Sequence, residues 1–213
     1  FIDVHNGKLF YQNSAVLLKL VQMLQDIRLK TQAGNQFLGD MFEGFLDQGI
    51  KQSEGQFFTP IPIVKFILKS LPLEQIITES DEIPKVIDYA CGAGHFLNEY
   101  AQEIKLIVEN YQKNVLEKYY QNVVGIEKEY RLSKVAKVSA FMYGQDDINI
   151  IYADTLATIS NIKENDYSIL VANPPYSVKG FLETLEESDR KKYKLIKTIE
   201  VKSYPNNNSI ETF

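Results

Sequence analysis

The chain has 213 residues, 45% hydrophobic and 24% charged, with a formal net charge of -5, enough for one good core and a small accessory domain of an ordinary soluble protein. Its single cysteine excludes an internal disulfide, and with only two histidines, His5 and His95, a zinc site is not expected. The acidic balance gives no sign of nucleic-acid binding, which ordinarily shows a basic excess.

Apolar runs such as VLLKLV and KFILKSL are broken by lysine well short of a membrane span. No signal-peptide pattern opens the chain, whose first residue is Phe1, so a cytoplasmic protein, excised from a longer one, is the expectation. From Ser14 to Thr31, Val16, Leu17, Leu20, Leu24 and Ile27 recur at helical spacing, with Ser14 as N-cap. A second helical pattern uses Phe37, Leu38, Met41, Phe42 and Phe45. Residues 1–50 thus read as an N-terminal helical segment, ahead of a second unit over 51–213. The Gly- and Pro-containing KQSEGQFFTPIP reads as a loop, with Pro60 and Pro62 opening a helix to about Ser70.

From Pro84 the rhythm changes. KVIDYA, NVVGIE, INIIYAD and YSILVAN read as strands, separated by helices over about His95–Tyr120 and Glu129–Tyr143 and by a short connection. The alternation predicts an α/β fold with a parallel sheet covered on both faces, and continuous apolar strands such as SILVA suit burial on both sides. Ser177 to Asn208 is charged and irregular.

Ligands of doubly wound sheets sit beyond the carboxyl ends of the strands. Those ends carry Asp88, Glu127, Asp154 and Asn173. In DYACGAGHF, Gly92 and Gly94 permit a tight turn and close approach of a ligand to the backbone. Leu97 stands where a dinucleotide fingerprint wants its third glycine, which disfavours a pyrophosphate cofactor but not a nucleoside-bearing one. Glu127 is placed to accept from ribose hydroxyls, and Asp154 from an adenine amino group; alternatively, each acid merely caps the helix that follows it. NPPY is a different kind of loop. Pro174 and Pro175 have no N–H, so it presents carbonyl acceptors and almost no main-chain donors. Asn173, before proline, is held extended. Its Oδ1 and the Pro174 carbonyl can take the two hydrogens of an exocyclic amine, while Tyr176 offers a stacking face; the bland alternative is a turn with a surface tyrosine.

GQFFTP (Gly55 to Pro60), DYACGAGHF, GIE, AD and NPPY together resemble, in order, the motifs of adenine-N6 DNA methyltransferases, above all the methylation subunit of type I restriction–modification systems and the related fused enzymes. The likeness runs from about Leu38 to Tyr176. It implies a Rossmann-like S-adenosylmethionine-dependent methyltransferase sheet, truncated after the fourth strand, behind an N-terminal helical region. The implied donor is S-adenosylmethionine, and the implied substrate is double-stranded DNA with a flipped adenine. A specificity domain or subunit and a restriction domain or subunit are the implied partners, in a prokaryotic cytoplasm. Residue by residue, Phe58, Thr59 and Pro60 would pack near the methionine end of the donor. Asp88 and the Gly92–Gly94 backbone would hold its amino acid part, with Glu127 on the ribose and Asp154 on the adenine. Asn173, Pro174 and Tyr176 would hold the target base. Tyr89 and His95 depart from the family's usual proline and small residue; His95 could narrow the donor pocket but reads first as a first-turn helix residue without a chemical role, and Cys91 as packing. Arg190, Lys191, Lys192 and Lys194 could touch DNA or form a solvated face balanced by Glu183, Glu186, Glu187 and Asp189. Two other readings stay open: methyl transfer to a protein glutamine or an RNA amine, and a non-catalytic assembly piece.

Overall fold

The computed structural model describes residues 14–25, 59–80, 82–111, 116–145, 147–175 and 185–194. The second N-terminal helical pattern, Phe58, Tyr176 and most of the irregular stretch after Ser177 lie outside them. Helix α1 is Ser14–Leu24, and its Val16, Leu17 and Leu20 are exposed. Among the described residues, no helix is long and apolar enough to cross a membrane.

Helix α2, Ile61–Lys69, starts where its prolines place it: Pro60 is the N-cap, and a proline in the first turn removes an N–H that would have no helical partner anyway. A short helix not expected from the sequence, α3, follows at Leu73–Glu79. Strand β1 is Val86–Asp88, followed by α4, His95–Asn110. The expected single helix to Tyr120 is two: Tyr111 leaves helical geometry at ψ 6, and α5 forms at Leu116–Tyr120. Then come β2 at Val123–Glu127, α6 at Tyr130–Met142, β3 at Asn149–Tyr152, β4 at Ile169–Leu170 and α7 at Glu187–Arg190.

The four strands form one parallel sheet in the order β3-β2-β1-β4. Val86 pairs with Val123 and Ile169, and Gly125 with Ile150, so these residues share a face. That face meets Phe96, Leu97, Tyr100 and Ile104 of α4 and Ala136 and Ala140 of α6, and the same core takes in Val64 and Leu68 of α2 and Leu73 and Ile77 of α3. Burial is the main driving force here, at about 25 cal/mol per Å² of apolar surface. The fully buried Asn98 donates from Nδ2 to Ser139 Oγ at 2.7 Å, and Gln145 Nε2 donates to the Asn98 carbonyl at 3.2 Å, tying α4 to α6 and the turn that follows it.

The expectation that SILVA is covered on both sides is corrected. Ile169 and Val171 are buried in the helix-packed core, but Leu170, on the opposite face, is 61% exposed. On that face Ile87 and Ile126 are buried, yet at the β4 edge the described residues provide no cover.

Gly125 sets how closely α4 lies on β2. A Cβ there would stand 2.6 Å from Leu97 Cδ1, 2.8 Å from Ile150 Cδ1 and 3.0 Å from Cys91 Sγ. All three neighbours are buried in the core, so none can swing into solvent. Gly125→Ala is therefore expected to cost about 1–3 kcal/mol of stability by overpacking, measured as a lower urea midpoint.

Candidate active site

The sheet order puts the carboxyl ends of β1 and β4 side by side, and β1's other neighbour is β2. Asp88 ends β1 and is 1% exposed. The chain then turns through Gly92 at φ 53 and Gly94 at φ 87, left-handed values that L side chains resist. Around Gly92 the space where a Cβ would stand is open to 4 Å, whereas at Gly94 it would meet Ala136 of α6. The first glycine leaves its backbone uncovered; at the second the contact is an ordinary 3.5 Å, and it is the φ of 87 that calls for glycine.

The turn is held from both sides by carboxylates. Ala90 N–H donates to Asp88 Oδ1 at 3.0 Å. Gly92 N–H donates to Glu127 Oε2 at 2.9 Å, and Glu129 N–H donates to Glu127 Oε1 at 2.7 Å. Glu127 thus pins the glycine turn to the end of β2. Capping of α6, the bland role open to Glu127, falls instead to Glu129, whose side chain accepts from Leu132 N–H at 2.6 Å. Burial pushes the Asp88 carboxyl up to about 7, against the pull of the Ala90 N–H and with the help of the charge on Glu127. Burial also raises Glu127, opposed by the N–H groups of Glu129 and Gly92. Cys91 is buried and its thiol is driven upward by the same desolvation, so it is a packing residue and not a nucleophile.

Asp154 lies two residues beyond β3. Its Oδ1 accepts from Leu156 N–H at 3.0 Å, and Oδ2 pairs with Lys128 Nζ at 2.7 Å. It therefore closes a local turn and neutralises a lysine from the end of β2.

Asn173, Pro174 and Pro175 are exposed beyond β4. Asn173 Nδ2 donates to Thr59 Oγ1 at 2.9 Å, across 114 positions of chain. Thr59, Asp88, Ala90, Gly92, His95, Phe96 and Asn173 line one hollow. The glycine turn, its acid and the carboxamide of the proline loop are thereby brought together, as the sequence led us to expect. Pro60 stands next to Thr59 as the N-cap of α2; Glu127 and Asp154 lie at the neighbouring strand ends and do not line this hollow. His95 opens α4 as expected and lines the hollow, where a narrowing of the donor pocket was the lesser expectation; its contact with Thr59, Nδ1 lying 3.2 Å from the carbonyl, was not foreseen. A carbonyl only accepts, so Nδ1 carries the proton. A wider hollow, lined by Leu71, Pro72, Gln75, Thr78 and Tyr111, involves none of these groups.

The basic residues near α7 are paired locally in the structure. Lys191 pairs with Glu187 at 3.0 Å and Lys192 with Asp189 at 2.6 Å, while Arg190 Nε donates to the Leu185 carbonyl at 2.8 Å. Thr158 Oγ1 donates to Asp189 Oδ1 and Tyr193 OH to the Leu156 carbonyl, each at 2.7 Å. These groups dock α7 on the loop after β3.

A parallel sheet with a glycine turn after its first strand, acids at the strand ends and an Asn-Pro-Pro loop beside them defines a class I S-adenosylmethionine-dependent methyltransferase fold. A methyltransferase of that class from Listeria monocytogenes superposes with a TM-score of 0.62 at 19% identity, over 86% of this chain and 50% of that one. The modification subunit of a type I restriction enzyme from Vibrio vulnificus superposes with a TM-score of 0.56 at 20% identity, over 80% and 35%. The sequence model of the N-6 DNA methylase family matches residues 33–210, and the chain belongs to that family. The type I restriction enzyme MjaVII methylase subunit of Methanocaldococcus jannaschii is 24% identical over 197 residues, 91% of this chain and 31% of that protein. The chain thus spans less than a third of that relative's length.

Proposed function

We propose that this chain is the donor-binding and base-holding core of a DNA methyltransferase that methylates adenine N6 from S-adenosylmethionine. The observation that carries the proposal is the shared hollow, with Gly92 and Asp88 on one side and Asn173 on the other. The residues fit the donor: the open space at Gly92 admits a ligand to the backbone, and the buried carboxylate of Asp88 suits an ammonium group. When bound, S-adenosylmethionine supplies an electrophilic methyl group on a sulfonium. Asp88 and the Gly92–Gly94 backbone hold its amino acid end, with Thr59, Pro60 and Phe58 beside it. Glu127 would take the ribose hydroxyls from the end of β2. Asp154 accepts from the donor's adenine once Lys128 yields.

On the acceptor side, Asn173 Oδ1 and the Pro174 carbonyl take the two N6 hydrogens, and Tyr176 stacks on the base. Holding both hydrogens directs the nitrogen lone pair at the methyl group, so catalysis is positioning and fixed dipoles. An adenine inside a duplex cannot reach this loop, so the base is flipped out at a cost of a few kcal/mol. The name of the archaeal relative supports a place in a type I restriction–modification assembly, with a specificity subunit or domain choosing the site and a restriction subunit or domain alongside. Family membership favours DNA over protein glutamine or RNA as acceptor.

The test is methyl transfer from labelled S-adenosylmethionine to duplex DNA by the full-length protein with its partner subunits, the product being read by mass spectrometry. N6-methyladenine is the expected product. Label appearing only in protein, or no donor binding by calorimetry, would overturn the proposal.

A further inference from the structure

We infer that Tyr193 is a positioning residue for the adenine end of the donor: its hydroxyl holds the turn that aims Asp154. This rests on the proposed role of Asp154 as acceptor of the donor's adenine amino group. Asp154 opens a tight turn beyond β3, in which Ala157 N–H donates to the Asp154 carbonyl and Leu156 N–H to Oδ1, each at 3.0 Å. An aspartate bonded to the amide two residues on is fixed by the turn it heads. The other oxygen, Oδ2, pairs with Lys128 Nζ at 2.7 Å. These two partners are unequal. The Lys128 side chain is 51% exposed against 19% for Asp154, and an ion pair to so open a lysine is worth little, so Oδ2 is the oxygen a ligand amine can take over. Oδ1 stays with Leu156, and the carboxylate is aimed only as firmly as Leu156 is held.

Leu156 is held from outside its own turn. Tyr193 OH donates to the Leu156 carbonyl at 2.7 Å, across 37 positions of chain. A carbonyl only accepts, so the direction of this bond is fixed. Tyr193 is half-buried. Burial, aided by the charges of Asp154 and Asp189, raises its hydroxyl above the ordinary tyrosine value and keeps the proton in place. The segment that carries Tyr193 has anchors of its own. Leu185 is buried, Arg190 Nε donates to the Leu185 carbonyl at 2.8 Å, and Asp189 Oδ1 takes the Thr158 hydroxyl at 2.7 Å. The turn is thus gripped at Leu156 and again at Thr158, by residues that follow the proline loop in the chain. The stretch after the base-holding loop thereby braces the acid assigned to the donor's adenine.

The test is calorimetry on the full-length protein with its partner subunits. The ligands are S-adenosylhomocysteine and its analogue with unsubstituted purine in place of adenine, so that only the amino group is missing. The parent is expected to bind the adenine ligand at least about 10-fold more tightly, the worth of a hydrogen bond to a charged group. Tyr193→Phe removes the hydroxyl and keeps the ring. It is expected to weaken the adenine ligand about 3- to 10-fold, the worth of one hydrogen bond, and to leave the purine ligand unchanged. An equal loss for both ligands would make Tyr193 a general structural residue, and no loss for either would remove it from the site; each result overturns the inference. A parent that binds both ligands equally removes the role of Asp154 and the inference with it, while the donor reading stands. A parent that binds neither overturns the donor reading as well.

Discussion

Asn173→Ala is expected to lower kcat by roughly 10²–10³, as loss of a preorganised polar group does at other sites, with donor affinity within about 3-fold. The size of the effect follows from the loop. Alanine offers no acceptor at this position, and the main-chain carbonyls of the proline-stiffened loop cannot swing into the place of the lost Oδ1 as a side chain could. The Pro174 carbonyl remains, holding one amine hydrogen but not the pair. Donor affinity is spared because Asn173 stands at the exposed rim while Asp88 and the glycine turn lie deeper. Single-turnover rates with saturating donor and DNA separate the two quantities. Turnover near that of the parent would remove Asn173 from the chemistry.

The second large effect is pH-dependent and belongs to Asp88. Its folded-state pKa, about 7, lies above the ordinary 3.8. For a group raised on folding, the folded state binds more protons than the unfolded state between the two values. Stability from this group is full below about pH 4 and is lost as pH rises to about 7, on the order of 4 kcal/mol in total. Glu127 shifts in the same direction. Asp88→Asn keeps an oxygen for the Ala90 N–H but cannot ionise, so its stability profile should be flatter between pH 5 and 7 and higher at pH 8. Binding should show the opposite face of the same group. An ammonium group beside Asp88 favours the carboxylate, so donor binding expels a proton. Affinity should therefore rise by up to about tenfold per pH unit toward 7 and then level off. Urea melts and calorimetry across this range test both halves. A parent protein with no slope in either would mean that Asp88 stays ionised throughout.

Much of the frame was legible in the sequence because it is written locally. β-Branched runs ending in Asp88, Glu127 and Asp154 mark strands and their order, and Pro60 and Pro62 mark where α2 begins. Helix α3 was missed because Leu73–Glu79 is under two full turns, too short for its spacing to stand out. The split after Asn110 was missed because apolar residues resume at Leu116 in phase with a continued helix. The glycine turn and the proline loop were each visible; their meeting was inferred from the expected strand order, and the Asn173–Thr59 bond, across 114 positions, has no local signature at all. The second role of Glu127 was hidden for a different reason. In sequence, a carboxylate that braces a backbone turn and one placed to accept from a ribose look the same. His95 was set aside as a helix opener, although its nearness to Thr59 depends on where α2 packs, which spacing alone cannot reveal.

The tight fit at Gly125 bears on how such proteins can diverge. Leu97 occupies the space that the bare backbone of β2 leaves open, which is why a leucine can replace the third glycine of a nucleotide fingerprint without lifting α4 off the sheet. Two relatives that differ at one of positions 97, 125 and 150 should then differ at another, larger traded for smaller. Drift at these three sites is a joint affair, and a lone exchange would be selected against even though none of the three lines the hollow.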